Sequence, residues 1–200
     1  MEQYPGYKIE HCRPNCSKAA RKWNSLQNNL YQALAELDLP EVLSAKFKNL
    51  LYHHIPKICL AGCPNGCSQP QIKDFGILGY LTPQITQEPC QECQACVHAC
   101  LEGAVSRGPD GIRINTARCV SCGDCVRVCS SGTLTAGETG WELRLGGRVG
   151  RHPRFAVAAG KVGSDSEVVD WVVEILRSYI KHGLPEERLS NFLERLTLNC

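Results

Sequence analysis

No stretch of this sequence approaches the ~18 consecutive apolar residues that a membrane-spanning helix requires. Charge of neither sign dominates: 22 Lys and Arg face 20 Asp and Glu, a formal net charge of +2. No global field therefore marks nucleic acid or a membrane surface as a partner. The opening segment, Met1-Glu-Gln-Tyr-Pro-Gly-Tyr-Lys, has an acid at position 2 and no apolar run behind it. A secretory leader is not expected, and the reading is a cytoplasmic chain. Hydrophobic residues are 43% and charged residues 21%, which excludes disordered, collagen-like and coiled-coil classes. Two hundred residues suit one domain, or one domain carrying a smaller one.

Cysteine is what the sequence has in excess, with fourteen. Such a density means a disulfide scaffold in a secreted protein, or metal and cluster ligation in a reducing compartment. Without an export signal, ligation is favoured. The cysteines are clustered, and thiolates three residues apart bridge each other poorly but can converge on one polynuclear centre.

The hydrophobic pattern orders the chain. Leu26, Leu30, Leu34 and Leu37 recur at helical spacing, and Pro40 separates them from a second helical run, Val42 to Leu51. Residues 57 to 61 and 75 to 81 read as short buried strands around the loop Cys63-Pro-Asn-Gly-Cys67. A cysteine-rich insert with little apolar content of its own occupies residues 84 to 135, and Trp141 to Leu145 then alternates like a strand. Ser164-Asp-Ser-Glu167 is a capping box opening a helix with an apolar face of Val168, Trp171, Val172, Ile175 and Tyr179. Gly183 stops that helix, and Pro185 starts a last one reaching about Leu196. Helices, strands, insert, strand and helices in that order predict an α+β fold interrupted by a smaller module.

Within the insert, Cys90-Gln-Glu-Cys-Gln-Ala-Cys-Val-His-Ala-Cys100 and Cys119-Val-Ser-Cys-Gly-Asp-Cys-Val-Arg-Val-Cys129 are both C-x2-C-x2-C-x3-C, repeated at a 29-residue offset. That is the bacterial two-cluster ferredoxin run, in which the fourth cysteine ligates the other cluster. One [4Fe-4S] cluster is therefore assigned to Cys90, Cys93, Cys96 and Cys129, and a second to Cys119, Cys122, Cys125 and Cys100. Zinc prefers C-x2-C pairs separated by a longer loop. The role predicted for the insert is electron conduction. Cys12-Arg-Pro-Asn-Cys16 and Cys63-Pro-Asn-Gly-Cys67 supply four more thiolates from two separated loops, the ligand count of a third [4Fe-4S] cluster. Cys59 reads as a small core residue, and Cys200 as a frayed end.

Lys57-Ile-Cys-Leu-Ala-Gly-Cys-Pro-Asn-Gly-Cys67, followed by Lys73-Asp-Phe-Gly-Ile-Leu-Gly79, resembles the second half of the sirohaem signature of nitrite and sulfite reductases. Gly146-Gly-Arg-Val-Gly-Arg-His-Pro-Arg154 resembles their Gly-Gly-Lys-x-Gly segment. With an inserted two-cluster ferredoxin, the chain is similar over nearly its whole length to the C-subunit type of anaerobic sulfite reductase. The resemblance implies a sirohaem-type reductase domain over 1–83 and 136–200 and an inserted ferredoxin domain over 84–135. Cys12, Cys16, Cys63 and Cys67 would hold the third cluster, Cys67 would also bridge to the sirohaem iron, and Asn65 would lie against the macrocycle. Lys57 matches one of two lysines presented to the bound anion, the other falling on Ile55, and His53 and His54 could supply protons.

Charge agrees with a carboxylate-rich cofactor. Arg144, Arg148, Arg151, Arg154 and Lys161 occur between Glu142 and Asp165 without an acid, and Arg13, Lys18, Arg21 and Lys22 surround the first cysteine pair. Arginine forks suit carboxylates, so Arg148, Arg151 and Arg154 are candidate sirohaem contacts, and Gly146, Gly147 and Gly150 permit close backbone approach. Two departures stand out: the first pair is C-x3-C where the family usually has five intervening residues, and only eleven residues precede Cys12. The ferredoxin-like repeat that family members carry there would be supplied by a partner reductase chain or a second copy, or not be needed, or its loss would leave a chain that is not a competent sulfite reductase. The expected activity is sulfite or nitrite reduction fed by an electron-donor protein. The alternative is a multi-cluster electron-transfer protein or relay subunit without sirohaem.

Overall fold

A computed structural model describes residues 6–198. The leader reading at Met1–Pro5 and the end reading at Cys200 lie outside them. In chain order the elements are β1 (Lys8–His11), α1 (Asn24–Ala35), α2 (Leu39–Lys46), β2 (Lys57–Ala61), β3 (Phe75–Ile85), α3 (Ala95–Ala99), β4 (Val105–Gly108), β5 (Gly111–Ile114), α4 (Asp124–Arg127), β6 (Leu134–Leu145), β7 (Val157–Val162), α5 (Asp165–His182) and α6 (Leu189–Leu198). This is a mixed helix-and-strand fold. No helix among the described residues is long and apolar enough to cross a membrane.

Five strands form one sheet in the order β1-β2-β3-β6-β7, with β1, β2 and β3 parallel and β6 and β7 antiparallel to their neighbours. Alternation decides which face is buried under helices. Ile58 and Leu60 of β2, Phe75 and Ile77 of β3, and Trp141 and Leu143 of β6 share one core with Leu26, Leu30 and Leu34 of α1, Val168, Val172, Leu176 and Tyr179 of α5, and Phe192 of α6. Each such fully buried side chain contributes about 1.5–3 kcal/mol relative to exposure. Over the opposite face the segment after Cys63 folds back: the Cys59 thiol donates to the Ser68 carbonyl at 3.0 Å, and the Ala156 N–H donates to the Gln71 carbonyl at 2.7 Å.

The capping box at Ser164 and Glu167 is formed in both directions, and Gly183 ends α5. The helical leucines and the strand over 57–61 also stand where the pattern puts them. Other boundaries moved. Pro40 sits in the first turn of α2, which ends at Lys46, because proline is compatible with that position rather than a break before it. Pro185 does not start α6, which begins at Leu189. The strands at 75–81 and 141–145 are the inner ends of β3 and β6, which pair antiparallel as far as Ile85 and Leu134.

Residues 86–133 leave and re-enter at the outer end of that β3–β6 ribbon. They contain α3, α4 and the β4–β5 hairpin. Contrary to the expectation of little apolar content, Val105, Ile112 and Leu134 make a small core with Cys96 and Cys125. The two cysteine runs are also copies in backbone. Glu92 and Gln94 have φ of 60° and 57°, and their equivalents 29 residues on, Ser121 and Gly123, have 57° and 74°.

Candidate cysteine-lined centres

The first two cysteine loops meet because β1 and β2 are parallel neighbours, with His11 in register with Leu60. Parallel strands bring their C-terminal ends to one edge of the sheet, where ligand-binding loops of such sheets gather. Cys12 follows β1 and donates its N–H to the Leu60 carbonyl at 3.0 Å, while Cys63 follows Ala61 by two residues. Both C-x3-C loops turn in the same way: Asn15 and Gly66, each just before the second cysteine, have φ of 53° and 59°. The result is a cavity of ≈ 50 Å³ lined by Cys12, Arg13, Cys16, Ala19, Ala61, Gly62, Cys63, Gly66 and Cys67.

Backbone approach closes the cavity. The Gly62 carbonyl accepts the N–H groups of Ala20 and Arg21 at 2.8 and 3.0 Å, and the Gly62 N–H donates to Cys12 Sγ at 3.3 Å. A Cβ on Gly62 would stand 2.8 Å from the Arg21 carbonyl, and one on Gly79 would stand 2.7 Å from the Gly62 carbonyl. Asn65 Nδ2 donates to Cys67 Sγ at 2.9 Å, and Cys67 is the exposed member of the four. Burial raises the Cys63 thiol; the Asn65 N–H opposes that, and the sulfurs of Cys67, Cys12 and Cys16 reinforce it. Cys59 is fully buried in the core, and burial pushes its thiol up to about 11.

In the segment between β3 and β6, Cys96 and Cys125 are buried, Cys93 is exposed, and Cys90, Cys100, Cys119, Cys122 and Cys129 lie between. The two runs cross. Burial raises the Cys96 thiol, reinforced by Cys129 and Cys90. Burial pushes Cys125 up to about 11, reinforced by Cys122, Cys119 and Cys100. Cys129 of the second run thus acts on Cys96 of the first, and Cys100 of the first on Cys125 of the second. Backbone donors point at these sulfurs as well: Glu92 N–H to Cys90 at 3.4 Å, Ala104 N–H to Cys100 at 3.3 Å and Leu134 N–H to Cys129 at 3.3 Å. Burial opposes ionisation of Cys129, but the Ser131 hydroxyl and the N–H groups of Leu134, Ser131 and Gly132 outweigh it and hold this thiol below its ordinary value. Among the described residues no three His, Cys, Asp or Glu side chains converge as on a single metal ion.

The other candidates are dispersed. Lys57 lies at the opposite end of β2, outside the cavity lining, with Nζ 4.7 Å from the centre of the Tyr52 ring. Burial lowers its pKa against the pull of Asp74, whose carboxylate accepts the Lys57 N–H at 2.9 Å. His53 packs edge-on to His54, which stacks on Phe47. Arg148 and Arg154 both pair with Glu194 of α6, at 2.8 and 3.4 Å, and Arg154 also donates to the Gly146 carbonyl. Arg151 is exposed. None of the three lines the cysteine cavity. In the N-terminal basic group, Arg13 lines the cavity, whereas Arg21 pairs with Asp165 and Lys18 with Asp124. Asp165 is the residue that sequence reasoning missed: besides Arg21 it accepts Trp141 Nε1 at 2.8 Å and the Ser25 hydroxyl, and so fixes the loop after Cys16. Its place in a capping box gave no sign of this.

Comparison with known proteins places the chain in a family. The model of the nitrite and sulphite reductase 4Fe-4S domain matches residues 35–199. The coenzyme F420-dependent sulfite reductase of Methanocaldococcus jannaschii is 37% identical over 161 residues, 80% of this chain and 26% of that protein. The C-subunit of anaerobic sulfite reductase from Salmonella typhimurium is 35% identical over 140 residues, 66% of this chain and 39% of that protein. The crystal structure of dissimilatory sulfite reductase I superposes with a TM-score of 0.63 at 20% identity, over 94% of this chain and 49% of that one. The chain thus spans about a quarter to two fifths of the length of these curated relatives.

Proposed function

The chain belongs to the nitrite and sulphite reductase 4Fe-4S domain family, and from that premise we propose that it is an iron-sulfur component of a sulfite- or nitrite-reducing system that carries three [4Fe-4S] clusters and sirohaem. The observation that carries the reading is the single cavity lined by Cys12, Cys16, Cys63 and Cys67 at the shared edge of β1 and β2. Four thiols around one small space, with N–H donors on two of the sulfurs, fit a polynuclear core whose potential is set by such bonds and by solvent exposure. The crossed neighbours of Cys96 and Cys125 fit two further clusters in residues 86–133, a ferredoxin-like module fed by an electron-donor protein.

When bound, the clusters supply one-electron conduction and sirohaem an iron at which a small oxyanion is reduced. The chain's own residues bind and orient. Cys67, exposed beside Asn65, is the sulfur available to a further iron, and Arg13 beside the cavity is the guanidinium placed to receive a carboxylate. Lys57, with Asp74 beneath it, offers a cation at the far end of β2. If Lys57 contacts the anion, the ligand must extend along the strand, since four residues of β2 span about 13 Å.

A second reading, a relay subunit without sirohaem, is favoured by one observation: Glu194 engages Arg148 and Arg154, two of the arginines expected to grip the macrocycle. The visible spectrum of the anaerobically prepared chain separates the two. Sharp red-region bands that shift when sulfite or nitrite is added support the reductase reading. Broad cluster absorption that neither anion alters leaves the relay.

A further inference from the structure

The two cysteine runs are copies in sequence and backbone, yet they meet different surroundings. In the first run Glu92, Cys93 and Gln94 are all exposed; their equivalents in the second, Ser121, Cys122 and Gly123, are half-buried, half-buried and buried. The cover over the second run comes from the larger unit. The Leu81 N–H of β3 donates to the Ser121 carbonyl at 2.8 Å, and the Leu81 side chain lies against Gly123. Lys18, two residues after Cys16, places Nζ 3.1 Å from Oδ1 of Asp124, which stands between Cys122 and Cys125. Arg127 holds the same Asp124 oxygen at 2.5 Å and donates to the carbonyls of Cys122 and Lys18 at 3.0 and 3.3 Å.

We propose that Lys18, Asp124 and Arg127 form an ionic joint that fixes the polarity of the cysteine-rich module, its second run turned to the Cys12–Cys67 cavity and its first run turned out toward an electron-donor protein. The proposal rests on the reading above. Chain connectivity alone does not set this polarity, because the β3–β6 ribbon fixes only where the module is attached. The joint ties it a second time, to the loop that bears Cys16. These are positioning residues: Lys18 and Arg127 touch no sulfur that the structure records, and they act by holding one loop against another.

The test uses the full chain prepared without oxygen. Iron is counted first, and amide hydrogen exchange is then followed in residues 13–19 and in α4. The Lys18 side chain is 66% exposed, so salt screens its pair with Asp124. Wild type in ~1 M salt and Lys18→Ala should both exchange about two- to fivefold faster in the loop and in α4 together, the size expected for loss of such a pair. Lys18→Arg should restore wild-type exchange. In the dithionite-reduced protein the magnetic interaction between clusters should weaken in Lys18→Ala and in wild type at ~1 M salt, and not in Lys18→Arg. Unchanged exchange in both segments, or faster exchange in the loop without α4, overturns the joint. Should Lys18→Ala lose iron, the salt series on wild type decides by the same criteria. Fewer than about twelve cluster irons in wild type, at four per cubane, would instead sink the three-cluster reading and leave the exchange result to judge the joint.

Discussion

Replacing Asp165 by alanine tests how the fold holds the loop behind the first cysteine pair. Asp165 Oδ1 accepts both Trp141 Nε1 and the Arg21 guanidinium, and the Trp141 ring is fully buried beneath Arg21, whose Cζ lies 5.0 Å from its centre. Leaving a buried indole N–H without an acceptor costs about 1–3 kcal/mol. Loss of the Arg21 pair adds about 0–1 kcal/mol, because its side chains retain 25% and 17% exposure. Removing an acid from the first turn of α5 adds about 0.3–1 kcal/mol. The total of about 1–5 kcal/mol corresponds to a fall in apparent Tm of roughly 3–20 °C for a protein of this size. Far-UV circular dichroism under anaerobic conditions, at one scan rate and matched iron content, reads it. Asp165→Asn keeps an acceptor for Trp141 and should lose less than half as much. An alanine variant within about 1 kcal/mol of wild type, or equal losses in the two variants, would refute the assignment of the cost to the orphaned indole.

The remaining predictions concern ligands, close approach and pH. Crossed ligation means that Cys93→Ala with Cys129→Ala empties one centre and keeps about eight of twelve irons, whereas Cys93→Ala with Cys100→Ala empties both and keeps about four; iron analysis giving the reverse would show that each run holds its own cluster. Gly79→Ala drives a Cβ against the Gly62 carbonyl and should remove the four irons assigned to the Cys12–Cys67 cavity, leaving about eight. Burial raises the Asp74 carboxyl from an ordinary 3.8 to about 6, against the pull of the Lys57 N–H, Lys57 and Arg188. Because the folded-state value is the higher one, the carboxyl imposes no penalty below pH 3.8, and the penalty grows as pH rises through about 6. Asp74→Asn should therefore gain stability relative to wild type by up to about 3 kcal/mol between pH 4 and pH 7, read as the difference between the two melting curves at each pH.

Spacing made the candidate ligand sets legible as groupings of cysteines, because C-x2-C-x2-C-x3-C and paired C-x3-C loops are local patterns. The helical leucines and the capping box were legible for the same reason, being properties of a single turn or two. The edge strands were not. Lys8–His11 is four residues in a polar context, and Val157–Val162 is exposed along nearly its whole length, so neither shows the alternation that marks a half-buried strand. The parallel pairing of β1 with β2, which is what brings Cys12 to Cys63, is a long-range contact that no local pattern encodes. Charge pairing was not legible either. A run of basic residues without an intervening acid predicted a cofactor grip at Arg148 and Arg154, yet Glu194, some forty residues on, engages both. Arg21 and Lys18 likewise pair with acids over a hundred residues away.

The central claim is a chain that holds three cubane clusters and a sirohaem. It is tested most directly by counting iron, acid-labile sulfide and extractable tetrapyrrole per chain in material purified without oxygen. The account predicts about twelve cluster irons and twelve sulfides, with one further iron in one tetrapyrrole. Twelve or eight irons with no tetrapyrrole would contradict it and leave a multi-cluster electron carrier.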